Sequence, residues 1–424
     1  MMNKMTCLPP LVLASLLATT STAQALTVDE LAEQFEAYKQ QQQQEFQKLR
    51  KENAELKSNN SELKEKLDNT EQQVENNTVA VETISDNVES QSSSGGHWYD
   101  RTTIGGYGEL HYNNYDSSDA KQQKDEIDFH RFVLFFGHEF TDNLRLFSEV
   151  EIEHSISGNG WGGGVELEQA YIEYDVTDQA SMKAGLFLIP IGIINETHEP
   201  TTFYGVERNN VEKYIIPTTW WEAGISTKYN FANGIGVQLG LTSGLNADDG
   251  YIRGGRGKIS KQLVKSGGVY GGIKYTGLPG LEVAANFNYQ TDLDQGASDT
   301  MGDAVLSEFH AIYSHTLGPG TIMGKALYAR WDISTTIDDA HTQDGWYLEP
   351  SYRVPTIIGD IGVYGRYEEL KYYNKKQRSF GKWELGFNYW IHQNVVFKFD
   401  YFEKNSTDGS AKQTGFDLGM GYQF

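Results

Sequence analysis

The sequence predicts an all-β fold, a 16-stranded antiparallel transmembrane β-barrel preceded by an α-helical coiled coil, and three observations carry that expectation. Residues 102–424 run as a succession of segments that alternate apolar and polar side chains, the pattern of a strand with lipid on one side and water on the other. The connections between these segments are short and long in rotation. The final ten residues, GFDLGMGYQF, put Phe416, Leu418, Met420, Tyr422 and Phe424 on one parity and Asp417, Gly419, Gly421 and Gln423 on the other, so the chain ends on a strand with one apolar face.

At the other end, Lys4 precedes an apolar stretch from Leu8 to Ala18 and the small-x-small triplet Ala23-Gln24-Ala25, which reads as a secretory signal peptide over 1–25. The stretch is too short for a spanning helix, which takes about 20 residues. The single cysteine, Cys7, lies inside it, so the mature chain is expected to carry no disulfide and no Cys-ligated metal. Mean hydropathy is negative. That is no argument against a barrel, because alternation averages lipid-facing against lumen-facing residues. The 25 Tyr and 20 Phe suit aromatic girdles, and a soluble β-domain would have to bury them.

Residues 28–90 are rich in Gln, Glu, Lys and Asn and lack Gly and Pro. With Phe46 at position a, Asn53, Asn60, Leu67, Val74, Val81 and Val88 follow at a, and Leu49, Leu56, Leu63 and Ile84 fall at d. This heptad spacing predicts a coiled coil, its Asn positions fixing register at the expense of stability; a disordered polar spacer is the other reading of the same composition. As a helix the segment would be about 95 Å long. A linker over 91–101, opening with QSSSGG, leads to the barrel.

Sixteen candidate strands run from Thr103 to Gly415, an even number as single-chain bacterial barrels have. Asp142-Asn143, Thr177-Asp178, Asn233-Gly234, Leu278-Pro279-Gly280, Pro319-Gly320, Ile358-Gly359 and Gln393-Asn394 mark the short turns, expected on the periplasmic side; the alternate connections are expected to run to ten residues or more, outside. Parity places Leu144, Leu146, Val150 and Ile152, then Ile235, Val237, Leu239 and Leu241, then Trp383, Leu385, Phe387 and Tyr389, toward lipid. Arg131, Arg145, Glu149, Glu151, Lys228, Lys274, Arg366 and Lys398 are then expected on the lumen wall. Lys or Arg on the lipid face near the midplane would cost about 2–4 kcal/mol, and sixteen strands leave a water-filled channel.

One connection stands apart. Residues 189–221 read IPIGIINETHEPTTFYGVERNNVEKYIIPTTWW, too long for a plain turn and too aromatic for disorder. Folded inward, it would present Glu196, His198, Glu199, Glu207, Arg208, Glu212 and Lys213 at the narrowest point of the pore.

These residues carry a resemblance. Phe187-Leu188-Ile189-Pro190, then Asn195-Glu196-Thr197-His198-Glu199-Pro200, Gly205-Val206-Glu207-Arg208-Asn209 and Ile216-Pro217-Thr218-Thr219-Trp220 are similar to the third-loop region of the phosphate-selective porin O and P family, and the last strand resembles the terminal strand of outer-membrane porins. The resemblance spans nearly the whole mature chain and implies a homotrimer of sixteen-stranded barrels in outer-membrane lipid, each with a short coiled-coil extension in the periplasm. Members that take phosphate line the lumen with an arginine ladder. This chain sets 35 Lys plus Arg against 58 Asp plus Glu, and Val133 follows Arg131 on the same parity of DFHRFVLFF, so the phosphate preference is not carried over.

Other chemistries find little support. Gly105-Gly106-Tyr107-Gly108 reads as a close-packed strand start, and Gly254-Gly255-Arg256-Gly257-Lys258 as an exposed loop tip lacking the spacing of a phosphate-binding loop. His198-Glu199 and His138-Glu139 have no second His at metal spacing. No catalytic constellation and no cofactor motif is recognisable. A formal charge of -23 argues against nucleic acid. Two functions remain: passive diffusion of small hydrophilic or anionic solutes, or a structural role in which the coiled coil tethers the outer membrane and the barrel anchors it.

Overall fold

The computed structural model describes residues 98–407 apart from Asn159, residues 412–424, and scattered positions from Glu36 to Lys57. The latter are helical and exposed, with the Arg50 guanidinium 4.9 Å from the ring of Phe46. The signal peptide, most of the coiled-coil segment and the start of the linker lie outside the described residues. The linker's last residues, Trp98–Arg101, form a 3-10 turn, and Arg101 is tied to Asp142 at 2.8 Å.

Sixteen antiparallel strands close one barrel. They are β1 (Thr102–Ser117), β2 (Lys124–Thr141), β3 (Leu144–Glu153), β4 (Val165–Thr177), β5 (Ala180–Leu188), β6 (Trp221–Asn230), β7 (Ile235–Thr242) and β8 (Gly268–Tyr275). The second half comprises β9 (Leu281–Gln290), β10 (Met301–Leu317), β11 (Gly320–Thr335), β12 (Thr342–Thr356), β13 (Gly359–Tyr373), β14 (Gln377–His392), β15 (Val395–Ser406) and β16 (Gln413–Gln423). Each pairs with its chain neighbours, and β1 closes on β16 with Tyr107 opposite Gln423 and Asn113 opposite Asp417. Closure leaves no sheet edge to satisfy in lipid, which is the requirement for strands in a bilayer.

All seven expected short turns join neighbouring strands on one side of the barrel. The expectation of uniformly long connections on the other side needs correction: residues 189–220 and 243–267 are long, but 118–123, 336–341, 374–376 and 407–412 are not. At 336–341 and 374–376 the strands account for the difference. Strands β10 to β14 have 15 to 17 residues, whereas a crossing takes about 9–11. The hairpins therefore continue past the lipid belt, and their charged tips carry no alternation that a reader of sequence could follow.

The two walls follow the expected parities. Val150, Leu239, Leu241, Leu385 and Phe387 are exposed on the outside of the isolated chain, while Glu149, Glu151, Arg366, Lys398 and Asp400 are buried toward the interior. On β2, Arg131 and Val133 point inward and Leu134 and Phe136 outward. A register shift between Glu109 and His111 inserts one extra residue on β2. Such a bulge turns successive side chains to one face, and His130 and Arg131 both enter the lumen.

The interior is not uniformly polar. Met301, Ala304, Leu306, Leu327, Ala329, Trp331 and Ile333 form an apolar patch on the inner wall, and Ile189, Ile191, Val211, Ile215, Ile216 and Trp220 of the third long loop pack on it with Leu245 and Ile252 of the fourth. Each fully buried aliphatic or aromatic side chain there stabilises the arrangement by about 1.5–3 kcal/mol. A smaller cluster of Tyr204, Tyr364, Trp390 and Val396 holds the other flank.

Candidate functional site

The third long loop carries its own local structure. Asn209 caps a short helix, α1 (Asn210–Tyr214), its side chain accepting from the Glu212 N–H at 2.8 Å. The loop's two stems are tied by Asn195, which donates to the carbonyls of Ile189 and Trp220 and accepts from the Trp220 N–H. Glu212 staples the halves together: its carboxylate accepts from the N–H groups of Ile193 and Ile194, from Tyr347 Oη and from Asn209 Nδ2.

So built, the loop crosses the inside of the barrel. Trp331 Nε1 donates to Ile215 O at 2.7 Å, Trp390 Nε1 to Thr201 O at 3.3 Å, and Lys398 Nζ to the carbonyls of Phe203 and Gly205 at 3.0 and 2.8 Å. Asn210 donates to Glu368, and the Val206 N–H to Asp400. His198 is buried between Glu149 and Glu168, 3.3 and 3.5 Å from their oxygens. At the seam, Glu207 reaches His111 and Asn113 on β1 at 3.2 and 3.3 Å, and Thr201 donates to Gln423 on β16. Val206 and Pro200 lie against Gly419 and Gly421, where a Cβ would come within 3.0 and 2.4 Å of them. These two inward glycines of the last strand make room for the loop.

Beside the loop lies a polar cavity of about 140 Å³ whose lining includes Arg208, Lys213, Arg253, Arg256 and Lys258. Its charges are unevenly matched. Glu109 is held by Arg131 and His111, Glu166 by Lys258, Glu168 by His198 and Glu207 by His111. Arg208, by contrast, only donates to the carbonyl of His198, Arg253 to those of Lys213 and Thr218, and Arg256 to those of Arg253 and Thr219. Among the described residues neither these three nor Lys213 forms an ion pair. Burial pushes the Lys213 ammonium down to about 8; Glu207 opposes that shift, and Arg253, Lys124 and Arg208 add to it.

The expected wall residues all point inward, with different employment. Arg131 is clamped by Glu109 and Glu151 at 2.7 and 3.0 Å, and Arg366 by Glu349 and Glu384 at 3.0 and 2.5 Å. Arg145 is paired with Glu173 and Asp175, Lys274 with Glu282. Lys398 is taken up by the loop. Lys228 remains exposed with Glu196, Lys274 and Gln238 around a second cavity, at the short-turn end. Of the expected loop residues, Glu207, Arg208 and Lys213 line the first cavity, Glu196 the second, and Glu199 is half-buried. His198 and Glu212 differ from expectation: both are buried, and their polar atoms are spent on holding the loop.

Sequence reading missed the contribution of the fourth loop. The segment Gly254–Lys258 is not an exposed tip: Gly255 is buried, Arg256 reaches the third loop and Lys258 reaches Glu166. The one available signal was the run of basic residues Arg253, Arg256 and Lys258 among glycines.

A family model described as phosphate-selective porin O and P matches residues 103–424. An uncharacterized protein of Aquifex aeolicus (strain VF5) is 29% identical over 338 residues, covering 72% of this chain and 76% of the relative. Among solved structures, an anion-selective porin from Comamonas acidovorans matches with a TM-score of 0.54 at 12% identity, over 76% of this chain and 99% of that one. OmpT of Vibrio cholerae in its trimer form matches with a TM-score of 0.50 at 14% identity, over 77% and 100%.

Proposed function

The chain belongs to the phosphate-selective porin O and P family, and from that premise we propose that this outer-membrane channel passes small anionic solutes by diffusion past a constriction formed by the third loop. The observation that carries the reading is the set of four cations, Arg208, Lys213, Arg253 and Arg256, that face the cavity without a carboxylate partner among the described residues. The whole chain is acidic, yet of the carboxylates lining this cavity Glu109, Glu166, Glu168 and Glu207 are held by other cations, and only Glu153 forms no ion pair among the described residues. A permeating ion responds to the nearest unscreened charges, because fields in a narrow low-dielectric passage exceed those at an open surface. The Comamonas acidovorans porin, described as anion-selective, agrees with this reading.

Reversal-potential measurement on the mature protein in a planar bilayer under a salt gradient tests it. The expected sign is that of anion preference, weakening as pH rises through about 8, where Lys213 loses its positive charge. A cation preference, or no conductance steps at all as the anchor reading requires, would overturn the proposal.

The assembly is proposed to be a homotrimer, as OmpT is in its trimer form, with residues 28–90 as a parallel three-stranded periplasmic rod. Phe46, exposed in the single chain at a seam position, is what such a rod would cover. Deleting residues 28–90 is expected to leave a folded barrel with unchanged single-channel conductance. Loss of conductance from a barrel that still inserts would count against this division of labour.

A further inference from the structure

We propose that Asp128, His130 and His154 form a binding site for a divalent transition-metal ion of the Zn²⁺ class at the long-loop end of the barrel. Asp128 Oδ2 lies 3.1 Å from His130 Nδ1 and 2.8 Å from His154 Nδ1, and one ligand atom from each of the three residues lies within 4.8 Å of the other two. A tetrahedral Zn²⁺ with bonds of about 2.0–2.1 Å holds neighbouring ligand atoms about 3.3 Å apart. The His130 edge is therefore within a few tenths of an ångström of that geometry, and the His154 edge has to open by about half an ångström. Two imidazole nitrogens with one carboxylate oxygen favour Zn²⁺ or Cu²⁺ over Mg²⁺ or Ca²⁺, which take oxygen ligands. Each ring binds through Nδ1 as the neutral tautomer with its proton on Nε2, the form that leaves a lone pair for the metal.

The site is preorganised and reachable. The bulge on β2 brings His130 into the lumen, where its ring stacks on His111 at 4.7 Å with an interplanar angle of 10°. His111 is fixed in turn by Glu109 and Glu207. His154 stands at the end of β3 in a left-handed conformation (φ 55), its N–H bonded to His130 O at 3.2 Å. A non-glycine residue in that region is held there by its surroundings. The three side chains are 24–42% exposed, so an ion can enter and keep water in its remaining coordination positions.

Metal binding does not depend on what the channel conducts and is measured separately. Folded full-length mature protein without an affinity tag, in detergent micelles, is titrated with Zn²⁺ alone by calorimetry and with Co²⁺ alone by visible absorption. One site per chain is expected, with His154→Gln and Asp128→Asn each weakening it at least tenfold and His392→Ala, at a distant turn, leaving it intact. His154 is outside the strand ladder, so its variant is expected to fold, which far-UV circular dichroism checks. Absence of binding at millimolar metal, or one-per-chain binding that survives both substitutions, overturns the assignment; in the latter case the ion sits elsewhere, as at Glu149, Glu168 and His198.

Discussion

Arg208→Glu combined with Lys213→Glu is expected to change the channel from anion-preferring to cation-preferring. The pair removes two positive charges from the cavity beside the third loop and adds two negative ones. A unit charge about 5 Å from a permeating ion contributes about 3 kcal/mol at an effective dielectric of about 20, or roughly two decades in local ion occupancy before salt screening. Arg208→Glu alone should lower the anion-to-cation permeability ratio about tenfold. Neither side chain forms an ion pair among the described residues, and the Arg208 guanidinium's one hydrogen bond, to the His198 carbonyl, is long at 3.3 Å. The fold should therefore tolerate both changes. Lys261→Glu, at an exposed position of the fourth loop, makes the same change in charge away from the cavity and should leave the ratio within about twofold. An unchanged reversal potential in the double variant would show that ions do not pass this cavity.

Glu212→Leu is expected to release the third loop and to raise single-channel conductance by about half or more. The substitution strands four donors, three of them buried: the N–H groups of Ile193 (half-buried) and Ile194, Tyr347 Oη and Asn209 Nδ2. A buried donor left unsatisfied costs about 1–3 kcal/mol, comparable in sum with the apolar packing that seats the loop. The strand ladder does not involve Glu212, so barrel unfolding should be little affected while proteolysis within residues 189–220 accelerates. Anion preference should fall with the rise in conductance, because the cations on the freed loop would no longer stand at a fixed distance from the path. A protease-resistant loop with unaltered conductance would place the narrowing elsewhere.

The wall of this protein was largely legible in its sequence because the information is local. Period-two alternation assigned Leu239 and Leu241 outward, and turn residues such as Asp142-Asn143 and Gln393-Asn394 set the hairpins. Local pattern failed where the backbone departs from regular pleat. Nothing in DFHRFVLFF announces the bulge that turns both His130 and Arg131 inward, and parity alone would have set them on opposite faces. Partner choice was equally hidden. Arg131 reads as a free basic residue until β1 and β3 bring Glu109 and Glu151 against it, and Glu212 reads as a pore charge until four donors close around it. Asp128, His130 and His154 meet only because β2 folds back on β3, so no spacing in the chain could have found them. The last strand did hold a clue: glycines at 419 and 421 on the lumen parity, where bulk is withheld for Val206 and Pro200.

The seating of the third loop on both sides of the seam bears on the order of assembly. Asn113 and Asp417, 304 residues apart in sequence, meet across the join of the first and last strands, and Glu207 bonds to Asn113 while Thr201 bonds to Gln423. Bringing such distant segments together carries the largest loop-closure cost in the molecule, and it must be met before contacts that depend on it can form. The part of the loop's seat that spans the seam does not exist until the cylinder has closed. The loop's seam contacts must therefore form after the wall closes, and once seated the loop acts as a clasp, because parting β1 from β16 would also require pulling the loop from its bed.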